Sequence, residues 1–473
     1  MKQYIKQWLP AAVLSTLLIA SGFIMPYTGL DLKTKQALII FFICIVFWIF
    51  RPLPEYLSGM LGGVALILIA DIPMGQVLSS FATPVWWMGL LAMILGITIN
   101  HTGLGRRIAY LLLSKAGSTP LRILFSTTMV NNILAPFIPS NTARGALLCG
   151  ITDSLCDSLG YVPGEKKGDH TIMLANLYIN TTNTFIFMTA MAGNLLCVKI
   201  IADATGHQVT WMEWFYAAFI PGLPLMIILP ILINKIFRMQ PPPAGFKGTE
   251  TAKRCLAELG PMTKAEWSAA IIMSVTLLLW VTENLHGYNS TICSFTLVLL
   301  LVPGIGAVKW EDIGPRIPWP ALIWLGFAMG MGAIIDKLKG FRWLVDSLVM
   351  DSATFQSMSF SSFMLVMIVC IIFIHFIFAG MSAMVMVIVP ISIALAQQRG
   401  FDPVAVGLAA SMATTAGAFF MPFNSAPNLI FYATGRFDVK QQILGAVPLA
   451  ILICLALTLA LFFWWPFIGM VRL

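Results

Sequence analysis

Charge is the scarcest ingredient of this 473-residue chain. Asp, Glu, Lys and Arg together make up only 10% of it, against roughly a quarter in an ordinary soluble domain. Hydrophobic residues fill 59%, and the mean hydropathy is +0.88. Such a chain exposes its apolar surface to lipid, which excludes a soluble nucleic-acid binder and argues against a cytosolic enzyme. Catalytic punctuation is missing too. There is no GxxxxGK[ST] phosphate loop, so nothing points to ATP-driven pumping. None of the five histidines is followed by Glu, which removes an HExxH zinc site, and no GxSxG nucleophile elbow is present. The eight cysteines form no CxxC pair and lie mostly in apolar runs, so they read as small packing residues rather than a disulfide or metal framework. No cluster of acidic residues within the apolar segments suggests a dedicated proton relay.

What is present is a succession of long apolar runs. Only helices or closed barrels satisfy backbone polar groups inside a bilayer. The runs are continuous rather than alternating segments of about ten residues, which excludes the barrel. The expected fold class is therefore all-α: a polytopic membrane protein of about 11 transmembrane helices plus two re-entrant hairpins. Spans are expected at 9–26, 35–50, 55–72, 82–100, 172–200, 212–237, 265–282, 291–308, 319–336 and 442–467, with 403–435 as one broken span. Regions 120–160 and 358–399 are too long for one crossing and polar at their middle, as hairpins entering and leaving on one side would be. The N-terminus carries Lys2 and Lys6 before its apolar run and superficially resembles a signal peptide. The many spans that follow favour an uncleaved first span. With the N-terminus inside, most of the 28 Lys and Arg residues fall on the cytoplasmic face, Arg51, Arg107, Arg316 and Arg436 among them. The net charge of +8 thus sets orientation, N-terminus cytoplasmic and C-terminus extracytoplasmic, rather than indicating an acidic partner.

The halves repeat. TPVWWMGLLAMILG at 83–96 lines up with WPALIWLGFAMGMG at 319–332, and the amphipathic stretches at 103–112 and 338–348 follow in the same order. The expected organisation is a leading span at 1–34, a first repeat at 35–238 with its hairpin near 120–160, a cytoplasmic linker at 239–264, and a second repeat at 265–473 with its hairpin near 358–399. An odd number of crossings per repeat inverts the second relative to the first. Paired interrupted helices in inverted halves are the strongest sequence pointer to a secondary transporter's site.

The chemistry concentrates at those interruptions. Ser140, Asn141 and Thr142 sit in PSNTARG, between two apolar limbs. Free N–H groups opening the following half-helix favour an anion. Free carbonyls with hydroxyl and amide oxygens suit a hard cation such as Na⁺. A polar cap on two buried helices is the competing structural reading. The second tip carries Gly380, Met381 and Ser382, where Met381 offers no hard oxygen. The broken helices carry Thr189, Ala192, Gly193 and Asn194 in one half and Asn424, Ser425, Ala426, Pro427 and Asn428 in the other. Pro427 is expected to free a carbonyl by removing a helical hydrogen bond. Arg144 is the one basic residue left inside the membrane, where an ionisable side chain is costly and usually functional. Its functional readings are contact with a substrate carboxylate or offsetting charge near the tip; its structural readings are snorkelling or pairing with a neighbour such as Asp153. The polar run 180–184 is expected to face a cavity or neighbouring helices, and His375 to be a packed histidine.

On these segments the chain resembles the divalent anion:sodium symporter family. TGLGRRIAYLL, APFIPSNTARG and TAMAGN look most like its branch of bacterial citrate/succinate and tartrate/succinate antiporters and plastidic 2-oxoglutarate/malate translocators. The resemblance implies a homodimer in the bacterial inner membrane, with a scaffold holding a transport domain that moves as an elevator, and transport of di- or tricarboxylates without cofactor or nucleic-acid partner. It implies substrate contacts at Ser140, Asn141, Thr142, Arg144, Gly380, Met381, Ser382 and Asn428. It implies Na⁺ ligands, if Na⁺ is coupled, at Ser140, Asn141, Gly193, Asn194, Ser382 and Ala426. Sodium-coupled members typically carry Ser-Asn-Thr at both tips. Gly-Met-Ser at the second removes the central amide and favours exchange over sodium symport. Sodium symport, inorganic oxyanion transport, a channel and a membrane enzyme are the alternatives.

Overall fold

The structure is a computed structural model that describes residues 2–24, 29–115, 119–162, 168–242, 248–348, 353–376 and 381–471. The principal helices are α1 (Lys2–Ile24), α2 (Leu32–Phe50), α3 (Glu55–Leu68), α4 (Pro84–Thr102), α5 (Leu104–Leu113), α6 (Pro120–Leu134), α7 (Asn141–Ser158), α8 (Asp169–Thr182), α9 (Ala192–Thr205) and α10 (Trp211–Phe237). After them come α11 (Gly248–Glu258), α12 (Lys264–Val281), α13 (Ser290–Ser294), α14 (Trp319–Lys337), α15 (Gly340–Leu348), α16 (Phe360–Ile374), α17 (Met381–Gln398), α18 (Pro403–Ala416), α19 (Ala426–Tyr432) and α20 (Val439–Leu459).

Short polar signals fix where these helices begin. Thr210 and Thr263 open α10 and α12 through reciprocal capping boxes: each hydroxyl accepts from the backbone N–H of a Glu three residues on, and that Glu accepts from the threonine's N–H. Asp438 does the same with Gln441 at α20. The apolar helix bodies then pack on one another and face lipid. Among the described residues six stretches are long and apolar enough to cross a bilayer: Leu32–Phe50, Pro84–Thr102, Trp211–Phe237, Lys264–Val281, Trp319–Lys337 and Val439–Phe467. The other expected crossings are built from shorter apolar helices.

Those six stretches fall into three pairs at matching places in the two halves. The match is closest where helices break. Helix α6 spans 120–134 and α16 spans 360–374, each bound displaced by 240. Helix α8 ends at Thr182 and α18 at Ala416, while α9 starts at Ala192 and α19 at Ala426; all are displaced by 234. The residues preceding these restarts share an extended backbone, Met191 at φ −159° and ψ 152°, Ser425 at φ −151° and ψ 155°. One asparagine closes each break. Asn194 Nδ2 donates to the carbonyls of Thr184 (2.6 Å) and Phe187 (3.0 Å), and Asn428 Nδ2 to those of Ala418 and Met421 (both 2.9 Å). In both cases the acceptors lie ten and seven residues earlier in the chain.

The break expected in the first half lies inside 172–200: residues 183–191 leave the α-helix in two short 3₁₀ turns, and the helix restarts at Ala192. Pro427 is corrected. It occupies the first turn of α19, where its missing N–H has no helical acceptor, so it initiates a helix rather than freeing a carbonyl. The region 239–264 is more than a linker, since α11 lies within it and packs on α5.

The halves are interlocked. Helix α9 packs on α17, the second limb of the other half's hairpin, and α19 packs on α7, the second limb of the first hairpin. At the latter contact Gly145 is required: a Cβ there would lie 2.9 Å from Pro427 Cβ and 3.0 Å from Asn180 Nδ2. Two buried arginines tie distant segments. Arg107 of α5 pairs with Glu266 at 2.7 Å and donates to the carbonyls of Leu259, Gly260 and Pro261. Arg436 pairs with Asp153 and Asp157 of α7, both at 2.5 Å.

Candidate functional site

A cavity of about 1000 Å³ opens between the first hairpin and the helices around it. One wall is the hairpin tip from Ile138 to Ala143 together with Met191, Ala192 and Gly193 of the first break. The rest of the lining comes from the α2–α3 connection, the second half of α4, and the start of α14. Of the residues expected at the site, Ser140, Asn141, Thr142 and Gly193 are brought together here.

Two helix N-termini converge on this space. Ser140 caps α7, its Oγ accepting from Ala143 N at 3.1 Å, so the structural role of a polar cap is real. The capping leaves the N–H groups of Asn141 and Thr142 at the open end of an 18-residue helix. Among the described residues the side chains of Asn141 and Thr142 have no protein hydrogen-bond partner, and both residues line the cavity. Ala192 and Gly193 open the 14-residue α9 on the same space. Each helix contributes about half a positive elementary charge at that end, together with unsatisfied donors. The arrangement suits a carboxylate or another oxyanion.

Arg144 stands behind the tip rather than in the cavity. It is fully buried. Its Nε donates to Asn131 Oδ1 (3.0 Å) and Asn180 Oδ1 (3.1 Å), Nη1 to the carbonyls of Ile138 (3.0 Å) and Ala190 (3.2 Å), and Nη2 to Asn180 O and Asn183 Oδ1 (both 3.0 Å). All of its acceptors are neutral oxygens from four segments. Arg144 does not line the cavity, which corrects the expected substrate contact, and the expected pairing with Asp153 is corrected too, since Asp153 pairs with Arg436. This arrangement also accounts for the polar run, because Asn180 and Asn183 turn inward to hold the guanidinium while Thr184 donates to Thr181 O and Thr415 O.

Asn194 and Asn428 are likewise removed from direct contact. Both are buried, and their amides brace the breaks. Asn194 Oδ1 is left without a hydrogen-bond donor, whereas Asn428 Oδ1 accepts from Thr181 at 3.5 Å. Ala426 is exposed at the start of α19 and does not line the cavity. Met381 is buried in an apolar cluster with Met191 and Ala418, so it touches the cavity wall only through Met191. Gly380 lies outside the described residues, as does the side chain of Ser382. His375 is packed, with Nδ1 facing Ile371 O and Nε2 facing Thr414 O.

Sequence reasoning missed the charged rim. Arg51, Glu55 and Arg316 are the charged side chains lining the cavity; the sequence puts Arg51 and Arg316 on the cytoplasmic face and Glu55 at the start of the span 55–72, without linking them to a site. Arg51 closes α2 at φ +52°, a conformation that costs a non-glycine residue roughly 1–2 kcal/mol. Its Nη2 lies 3.2 Å from Glu55 Oε1. Arg316 Nη1 lies 2.7 Å from His101 Nδ1.

Comparison with known proteins agrees with this architecture. The family model described as "Sodium:sulfate symporter transmembrane region" matches residues 5–471. The chain is 30% identical over 461 residues to the inner membrane protein YbhI of Escherichia coli (strain K12), covering 95% of both chains. It is 28% identical to dicarboxylate transporter 1, chloroplastic, of Spinacia oleracea, covering 91% of this chain and 76% of that one. It is 26% identical to dicarboxylate transporter 2.1, chloroplastic, of Arabidopsis thaliana, covering 89% and 76%. Among solved structures, the MtrF antimetabolite efflux pump of Neisseria gonorrhoeae shares the fold with a TM-score of 0.58 at 15% identity, over 91% of this chain and 94% of that one. With this family match over nearly its whole length, the multi-pass chain with two interrupted helices is a membrane transporter and belongs to the divalent anion:sodium symporter family.

Proposed function

We propose that the protein is a secondary active transporter of small di- or tricarboxylates and works as an anion exchanger. The observation that carries this reading is the pair of helix N-termini, at Asn141 and Ala192, opening on one cavity with the free side chains of Asn141 and Thr142 between them. Relatives named as dicarboxylate transporters support the substrate class. Buried Arg144 adds a positive charge behind the tip with no carboxylate partner among the described residues. It raises the potential at the tip without touching substrate.

By this reading the two interlocked breaks and hairpins form the moving unit, and α2, α3, α4, α12 and α14 belong to a scaffold shared with a second copy in a homodimer. The N-terminus is cytoplasmic, the C-terminus extracytoplasmic, and the second half is inverted relative to the first. The cavity, rimmed by Arg51 and Arg316, then opens inward.

Exchange is preferred to sodium symport because Met381, Met191 and Ala418 bring no hard oxygen to the second tip. Sodium symport is the second reading. The family description and the undonated Asn194 Oδ1 beside the first break favour it. Ser140, Asn141 and Gly193 are the companions of Asn194 in that cation site.

Asn141→Ala tests the anion site. It is expected to abolish uptake of labelled succinate, citrate or tartrate at unchanged membrane levels. Normal uptake by a well-expressed Asn141→Ala protein sinks the assignment. Strong competition of carboxylate uptake by sulfate points instead to an inorganic oxyanion.

A further inference from the structure

We propose that Arg316 is a specificity-determining residue, which captures multiply charged anions at the cavity mouth and favours them over singly charged ones. The proposal rests on the carboxylate reading of the cavity and adds a residue outside the hairpins.

The hairpin tip and the first break recognise an anion with neutral groups only: two helix ends, an amide and a hydroxyl. Such a site binds one carboxylate well but has little means of demanding a second charge. The rim supplies that means. Its charged side chains are Arg51, Glu55 and Arg316, a net of one positive charge. Arg51 is held by Glu55 at 3.2 Å, so its field is largely cancelled. Among the described residues no carboxylate pairs with Arg316. Its contact is His101 Nδ1 at 2.7 Å, and a ring nitrogen accepts such a bond only when it carries no proton, that is, from a neutral imidazole. Arg316 is therefore the uncompensated cation of the mouth, and it is exposed.

Its placement makes this charge effective. Arg316 precedes α14, and Pro318, Pro320 and Ala321 at the start of that helix line the same cavity as the tip residues Ser140, Asn141 and Thr142. The guanidinium and the two helix ends thus border one space. The cavity lies at the upper end of the size range for small-molecule pockets, so a four-carbon diacid does not fill it. Arg316 thus acts on approach and capture, through a field focused by apolar walls, rather than as one side of a closed clamp.

The test is kinetic. KM and kcat for succinate exchange are measured at low and high ionic strength, in inside-out and right-side-out vesicles, for wild type, Arg316→Gln and Arg316→Lys. The expected result for Arg316→Gln is a KM raised roughly tenfold at low salt, on one face only, with kcat within about twofold. The gap narrows at high salt, and Arg316→Lys keeps KM near wild type because the effect needs charge rather than a fork of donors. A monocarboxylate competitor gains relative to succinate in the Gln variant. An unchanged KM in Arg316→Gln, a rise insensitive to salt, or a Lys variant as impaired as the Gln variant overturns the proposal. Absence of succinate exchange by wild type overturns the carboxylate reading itself, and the proposal with it; that outcome is distinct from exchange with an unaltered KM.

Discussion

Arg144 shows how a single residue organises this protein. Its guanidinium binds the carbonyl at the hairpin tip, Ile138 O, the carbonyl of the break, Ala190 O, and three asparagines. An arginine buried with every donor satisfied is tolerable in a membrane protein; the same cavity without it leaves several oxygens unpaired, each costing about 1–3 kcal/mol. Arg144→Gln is therefore expected to lower stability by about 3 kcal/mol or more and to abolish transport, measured by thermal denaturation in detergent beside uptake. A Gln variant of wild-type thermal stability would contradict the clamp. From sequence, Arg144 was recognisable as unusual because it stood alone among apolar residues. Its role was not, because its partners at 131, 138, 180, 183 and 190 belong to segments that only folding brings together. The same holds for the rim: a single Arg in a loop says nothing of the cavity it will border.

At the scale of elements, the breaks matter more than the spans. The hairpins could be read because polar or small residues interrupt long apolar runs near 140 and 380. The break in the second half could be read from Asn424 to Asn428. The break in the first half could be read from Thr189, Ala192, Gly193 and Asn194, but its extent could not, since it runs back through Phe185, Ile186, Phe187 and Met188, which look like ordinary membrane helix. The close packing of α7 on α19 gives this scale its own prediction. Gly145→Val must push Pro427 and the Asn180 amide apart, and overpacking of this kind costs about 1–3 kcal/mol. The expected outcome is a lowered melting temperature and a loss of transport exceeding that of Gly150→Val, where a Cβ meets nothing within 4 Å. Equal behaviour of the two variants would show that the inter-repeat contact is unimportant.

For the whole molecule, scarcity of charge is the governing fact. Several of its formal charges sit in clamps and at the rim: Arg107 with Glu266, Arg436 with Asp153 and Asp157, and Arg51 with Glu55. The proposed anion site uses helix ends and neutral side chains instead. A site of that kind holds an anion without the desolvation cost that a buried ion pair carries, which suits the ready release that the proposed exchange requires. The all-helical membrane character was legible in composition and pattern alone. Orientation of the buried side chains was not, because hydropathy carries no information about which oxygen a given amide will meet.

Counterflow in proteoliposomes tests the central claim most directly. Vesicles reconstituted with the purified protein are preloaded with unlabelled succinate or left empty, and uptake of labelled succinate is followed with and without Na⁺. The account predicts rapid uptake into preloaded vesicles, little into empty ones, and no change when Na⁺ is removed. Uptake that requires Na⁺ and proceeds equally into empty vesicles would contradict it.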